Sequence, residues 1–193
     1  MNALYKQIFD AVVQGRTNRP SLVVETNSAI KEATLELHGS ARFHEDLEAA
    51  NIFISTGQAT KFRFTMPVAM RSIWKVTAIS TTEVPLKRIT LQEDPRWLVD
   101  WYRVQGKSIE AQVSKPTSAF RVDYFGYPDV SEANYNSWIA QRYPYAVADL
   151  AAAKLFMLFE PRTAQLFFAR VGSISVGDTH LAKIYRENSN ASD

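Results

Sequence analysis

Three histidines and two carboxylate doublets are the residues of this 193-residue chain that first suggest acid–base or metal chemistry. The histidines His38, His44 and His180 lack the paired spacing of a zinc site such as HExxH. His38 precedes Gly39 at the predicted end of a helix, where a cation offsets the helix dipole. We therefore interpret His38 as a capping or surface residue and predict no metal site.

The carboxylate doublets are Glu45-Asp46 and Glu93-Asp94. Glycoside hydrolysis requires two carboxylates at a suitable distance from each other, and a sequence does not show that distance. Adjacent side chains on a helix or strand point in different directions, so we interpret both doublets as solvated loop charge. The chain also lacks the GxxxxGK[ST], GxGxxG and GxSxG motifs, and we predict neither a cofactor nor an enzyme.

Composition excludes further classes of protein. The chain has no cysteine, which rules out disulfides, thiolate nucleophiles and cysteine metal sites. Its 22 Lys and Arg against 20 Asp and Glu give a net charge of only +2, whereas a dedicated DNA reader usually carries a basic patch. The most apolar stretch, 146–159, contains Asp149 and Lys154 and is shorter than the roughly 20 residues of a membrane span. We therefore predict a globular protein with no membrane partner.

The elements that must position these residues follow from the hydrophobic periodicity. Residues 1–48 are predicted to be helical, 49–126 to form a β-rich insertion, 127–187 to be helical again and 188–193 to be a polar tail, all within a single domain. The predicted helices cover about 22–38, 132–142, 145–159, a segment after Pro161, and 178–186. Val104 to Ile109 is the best hairpin candidate, with Gly106 at its tip. The predicted fold class is α+β, with amino-terminal and carboxy-terminal helices forming a bundle around an inserted antiparallel sheet region.

Aromatic residues cluster in two places. Trp97 and Trp101 flank a turn-like segment, and we assign both to an interface because Trp, Tyr and Arg are enriched in binding hot spots. Trp138 and Tyr143 lie near Pro144, and we assign both to core packing. Asp149 lies on an otherwise apolar helix, where burial without a partner is costly. We therefore expect Asp149 to pair with Lys154, to pair with an Arg of another helix, or to face a neighbouring subunit.

Several segments, taken in order, resemble the head-to-tail adaptor (connector) proteins of short-tailed and some other tailed bacteriophages. The likeness covers most of the chain, including the opening helices and Phe43-His-Glu-Asp46. The segments are Pro85-Leu86-x-Arg88-Ile89, Trp101-Tyr102-x-Val104-x-Gly106-x-x-Ile109, Phe120-x-Val122-x-Tyr124-Phe125, and Asn136-x-Trp138-Ile139-x-x-x-Tyr143-Pro144 followed by an Ala-rich helix.

The resemblance implies a structural virion protein at the head-tail junction, assembled in the host cytoplasm. Such adaptors form a ring, typically of twelve copies, beneath the portal protein. The ring extends the DNA channel, through which genomic DNA passes without sequence recognition, and it provides a platform for a tail or nozzle protein. A closed ring needs two different complementary faces on each subunit.

Within this hypothesis, the carboxy-terminal helix and tail bind the portal, because terminal segments that order on binding can wrap a partner. The predicted tail-docking residues are Arg96, Trp97 and Trp101. Two alternatives stay open: a monomeric tail-completion or binding protein, and a peptidoglycan hydrolase that uses a carboxylate such as Glu45 or Glu93. The predicted portal-binding residues are Leu181, Lys183, Ile184, Tyr185 and Arg186.

Overall fold

The computed structural model describes residues 1–14, 22–54, 60–67, 69–93, 95, 98–173 and 177–188. The chain forms two compact units. The helical unit consists of Met1–Asp46 and Tyr127–Asp193, and the sheet unit consists of Leu47–Gly126. The chain enters the sheet unit once and leaves it once, so the sheet unit is an insertion between the two helical segments.

The helical unit is built around a central helix. Its described helices are α1 (Ala3–Val13), α2 (Val23–Gly39), a short 3-10 helix (His44–Asp46), α3 (Trp138–Arg142), α4 (Pro144–Phe156), α5 (Pro161–Val171) and α6 (His180–Asn188). Pro144 occupies the first turn of α4, where its missing N–H costs nothing. The alanines of α4 favour the helix and let neighbours approach closely. Consequently α1, α2, α3 and α5 all pack on α4, and residues 146–153 are buried.

The flanking helices bury one face each. Asn2 caps α1 by accepting a hydrogen bond from the Leu4 amide, and Tyr5, Ile8 and Val12 point inward at helical spacing. Gly39, the predicted stop, is the last residue of α2. The sequence spacing places Val23, Ile30, Ala33 and Leu37 on one side of α2. Ile30, Ala33 and Leu37 are buried, whereas Val23 lies in the first turn and is exposed.

Among its described residues, the sheet unit forms two four-stranded sheets. Its strands are β1 (Leu47–Phe53), β2 (Lys61–Thr65), β3 (Met70–Ile79), β4 (Glu83–Pro85), β5 (Lys87–Arg88), β6 (Trp101–Gln105), β7 (Ser108–Gln112) and β8 (Ala119–Gly126). The strand orders are β1-β8-β3-β4 and β2-β7-β6-β5. Alternate residues of facing strands meet between the sheets, where Phe62 and Phe64 of β2 contact Phe120 of β8. The two sheets therefore enclose one apolar core.

The α+β fold predicted from the sequence is confirmed. The predicted hairpin is the β6–β7 pair, and Gly106 has the positive φ of 60° that such a turn requires. Strand pairing is more varied than predicted, because β5 pairs with β6 in parallel. The helix predicted over 132–142 begins only at Trp138, since the Ser137 hydroxyl accepts the Ala140 amide and caps the helix there.

Among the residues that the structure describes, none of the helices is both long and apolar enough to cross a membrane.

Candidate functional site

The carboxy-terminal helix α6 is attached to the helical unit along its length. Ile184 is fully buried in the core of the unit. At the first residue of the helix, His180 Nε2 lies 3.1 Å from Asp149 Oδ2 on α4. At its last residue, Asn188 donates to the Tyr143 hydroxyl over 3.2 Å. The inner face of α6 is therefore part of the folded unit.

The outer face of α6 is polar and exposed. Lys183, Tyr185 and Arg186 all point to solvent, and Arg186 forms an exposed ion pair with Asp178. These residues are available to a partner, as the predicted portal-binding role requires. Ile184 is not available, because its side chain is buried beneath α6; this corrects the inclusion of Ile184 in the binding set.

Leu181 is half-buried and lines a groove on the helical unit. The groove has a volume of about 470 Å³ and lies among the end of α2, Tyr127, α4, α5 and α6. Its floor is apolar, with Leu150 and Val171, and Phe168 is at its edge with 37% of its surface exposed. The groove adjoins α6, so Leu181 belongs to an apolar recess beside the polar outer face.

The predicted tail-docking residues have a different outcome. Arg96 and Trp97 lie outside the described residues. Trp101 is 1% exposed, and the Arg103 guanidinium lies over its ring with 5.6 Å between Cζ and the ring centroid. An indole this buried offers no surface to a partner, so the assignment of Trp101 as a docking anchor is corrected. Leu91 and Val99, in the same stretch of sequence, have exposed apolar side chains.

Trp138 and Tyr143 pack against the core of the helical unit and also make polar contacts. The Trp138 indole N–H donates to Asp46 Oδ1 over 2.7 Å, and its ring meets Phe43 edge-on. The Tyr143 hydroxyl donates to the Glu187 carboxylate at the end of α6. Tyr143 thus joins the segment before α4 to the final helix.

Asp149 is buried on α4 and faces His180. Lys154 pairs instead with Glu36 of α2, with 2.7 Å between Nζ and Oε2. The Asp149–His180 contact joins residues that are 31 positions apart, and no pattern in the sequence connects them.

A second buried polar cluster contains His38, Asp46 and Ser137. His38 Nδ1 lies 2.7 Å from Asp46 Oδ1, and His38 Nε2 lies 2.9 Å from Ser137 Oγ. Because a carboxylate only accepts, Nδ1–H donates to Asp46, while Nε2 hydrogen-bonds with the Ser137 hydroxyl. Ser137 Oγ in turn accepts the Ala140 amide. The cluster therefore joins α2, the 3-10 helix and α3.

These contacts correct two expectations. His38 is 1% exposed and is not a surface residue, while Asp46 is buried and hydrogen-bonded and is not solvated loop charge. The order Asp–His–Ser also resembles a hydrolase triad in its hydrogen bonds. A nucleophile must meet its substrate, however, and Ser137 is buried with its oxygen engaged in capping α3. The arrangement fits a structural clamp.

The other carboxylates considered for acid–base chemistry, Glu45 and Glu93, form hydrogen bonds within the fold. Glu45 accepts a hydrogen bond from Arg142 Nη1 over 2.7 Å. Glu93 accepts from the Thr90 amide, and this hydrogen bond lowers the pKa of the Glu93 carboxyl. A general acid of a glycosidase needs a raised pKa, so Glu93 has the opposite property. Within the described ranges, no three His, Asp or Glu side chains converge as metal ligands.

The clearest shifts upward in pKa belong to tyrosines. Burial raises the pKa of Tyr135 to about 12, against the opposing effect of its hydrogen bond with Thr34. Burial and the hydrogen bond to Glu48 raise the pKa of Tyr124 to about 12. Burial likewise raises the pKa of Tyr5, with a further contribution from Glu132. These hydroxyls stay protonated at neutral pH and act as structural groups.

No protein-family model matches the chain, and no curated protein matches it. One solved structure to which it is similar is described as "Neck of empty GTA particle computed with C6 symmetry". The identity is 14%, the alignment covers 95% of this chain and 88% of that chain, and the TM-score is 0.32. At that TM-score the similarity carries no conclusion about function.

Proposed function

We propose that this protein is a head-to-tail adaptor of a tailed phage or phage-like particle. In this role it is a structural, non-enzymatic subunit that forms a ring beneath the portal. The ring continues the channel through which genomic DNA passes and carries a platform for a tail or nozzle protein. The resemblance of several ordered sequence segments to phage head-to-tail adaptors supports this proposal. The arrangement of α6 supports the assignment of a portal-binding surface.

The observation that carries this assignment is the division of α6 into two faces. Ile184 and Asn188 hold the helix to the unit, while Lys183, Tyr185 and Arg186 remain outside. A terminal helix held in this way presents a preformed cationic and aromatic surface, which lowers the entropic cost of binding. Leu181 adds an apolar contact in the adjacent groove.

Mass photometry tests the proposal directly. Purified protein is measured alone and after mixing with the portal ring from the same genome. A discrete gain of about twelve subunit masses, the copy number that the family resemblance implies, supports a ring on the portal. If no mass is added and the protein stays monomeric, the adaptor proposal is overturned in favour of a binding protein, and clearing of cell-wall substrate becomes the test for a hydrolase.

The binding surface is tested by charge reversal. We expect Lys183→Glu with Arg186→Glu to abolish the gain in mass, since both side chains are exposed and both charges change sign. The control is Lys61→Glu with Lys107→Glu, an equal change of charge at exposed positions of the sheet unit. A normal gain with the α6 variant would reject the assigned surface.

A further inference from the structure

Helix α5 presents a basic stripe to solvent. Arg162, Leu166 and Arg170 follow one another at intervals of four residues, so they lie on one side of the helix. All three are exposed, and Leu166 has 66% of its surface in solvent. In the described part of the chain neither arginine forms an ion pair. The inner side of α5, with Ala164 and Val171, is buried.

Helix α2 presents an acidic stripe. Glu25, Ser28, Glu32 and Glu36 share one exposed side of this helix. Lys154 lies near Glu32 and Glu36 and offsets one of the negative charges, with Nζ 2.7 Å from the closer carboxylate. Glu25 has no ion-pair partner within the described ranges. The stripe therefore keeps an excess of negative charge.

The two stripes lie on different helices of the helical unit. Both α2 and α5 pack on α4, but α2 also packs against α1 and α3, whereas α5 also packs against α6. A ring with one subunit type needs two unlike, complementary faces on each copy. The basic and acidic stripes meet that requirement within one unit.

We propose that neighbouring copies in the ring contact each other through these stripes, with α5 of one copy packed on α2 of the next. This inference rests on the proposed function. The charges match in spacing, because at about 1.5 Å per residue Arg162 and Arg170 are about 12 Å apart along α5, and Glu25 and Glu32 are about 10.5 Å apart along α2. Glu36, the fourth member of the acidic stripe, is already paired with Lys154. Leu166, between the arginines, supplies the apolar centre that an interface requires.

Complementary charge reversal tests the contact. One variant carries Arg162→Glu and Arg170→Glu, and the other carries Glu25→Lys and Glu32→Lys. Each variant alone opposes like charges at every contact, so we expect it to need at least tenfold more protein for half-maximal assembly on the portal ring. In an equimolar mixture, copies of the two variants can alternate around the ring, so that opposite charges again meet at every contact. The mixture should therefore assemble like the wild type.

The control is again Lys61→Glu with Lys107→Glu, which changes the charge equally without touching either stripe. Normal assembly of either stripe variant alone would overturn the proposal. So would a mixture that assembles no better than its separate components.

A cysteine trap separates this inference from the adaptor proposal, because it detects contacts between copies both with and without the portal ring. The chain has no cysteine, so Ser28→Cys with Leu166→Cys introduces the only thiols. Under oxidation, repeated α5-to-α2 contacts give a ladder of dimer, trimer and larger species on a non-reducing gel. Each single variant should give no product beyond the dimer. If the double variant gives no ladder either alone or on the portal ring, the inferred contact is wrong. A ladder without portal binding would reject the adaptor proposal alone.

Discussion

The imidazole of His38 donates a 2.7 Å hydrogen bond from Nδ1 to Asp46 Oδ1, next to the point where the chain leaves the helical unit. Both side chains are buried; the Ser137 hydroxyl also hydrogen-bonds with His38, and the Trp138 indole also donates to Asp46 Oδ1. Removing one partner of a buried pair lowers the stability of the fold by more than the pair itself contributes, because the remaining side chain stays buried without its hydrogen bond.

The first prediction follows from that pair. We expect His38→Ala to lower the free energy of unfolding by about 3 kcal/mol, since it leaves Asp46 buried without its imidazole donor. Urea unfolding followed by Trp fluorescence measures the loss. His44→Ala, a change at an exposed histidine nearby, should stay within about 0.5 kcal/mol of the wild type. Equal, small effects of both changes would show that the clamp contributes little.

The two faces of α6 should respond differently to substitution. Ile184→Ala creates a cavity in the core of the helical unit, and we expect a loss of about 2–4 kcal/mol of stability. Lys183→Ala changes an exposed side chain and should alter stability by less than about 0.5 kcal/mol. Thermal unfolding compares the two variants. Removing the chain after Gly177 should therefore destabilise the unit as well as remove a binding surface, which makes point substitutions the better test of binding.

Two glycines between α5 and α6 provide a comparison. Both have a positive φ, 64° at Gly172 and 60° at Gly177. A Cβ on Gly172 would lie 2.2 Å from Cγ2 of Thr179, whereas a Cβ on Gly177 would meet nothing within 4 Å. We expect Gly177→Ala to cost about 1 kcal/mol through backbone strain alone. Gly172→Ala should cost distinctly more, because its Cβ meets Thr179 and because its ψ of −150° lies in a region that only glycine adopts readily. Chemical denaturation of both variants checks the order, and equal losses would contradict this expectation.

Alkaline pH should weaken the fold through its buried tyrosines. The folded-state pKa of Tyr135 is raised to about 12 from an ordinary value of 10. The stability that the protonated Tyr135 hydroxyl contributes is therefore fully present below pH 10 and is lost as the pH rises through about 12. By pH 11 the free energy of unfolding should have fallen by about 1 kcal/mol. Tyr135→Phe should be the less stable protein at pH 7, because it loses the hydrogen bond to Thr34.

The difference in free energy of unfolding between the wild type and Tyr135→Phe should then shrink from pH 10 upward. Urea unfolding at intervals from pH 7 to pH 11 measures it. A difference that stays constant over this range would show that Tyr135 ionises equally in the folded and unfolded states.

Local patterns were sufficient to predict most of the elements. Alternating apolar residues with a glycine at the turn predict the β6–β7 hairpin, because both strands and the turn lie within a dozen residues. Pro144 followed by alanines predicts α4. The helix over 132–142 was predicted too long, because a local pattern did not show that the Ser137 side chain would cap α3 and begin the helix at Trp138.

The sequence by itself determined the α+β fold class, the sheet insertion between two helical segments, and the absence of cysteine chemistry. Only the tertiary structure decided which polar residues meet. Ser137 reaches His38 across 99 positions, and His180 reaches Asp149 across 31. The burial of Trp101 and Ile184 was equally hard to predict, because the residues next to them in the sequence do not show which side of the strand or helix faces inward. The physical reason is that periodicity reports the conformation of one segment, whereas contacts and burial depend on how distant segments pack.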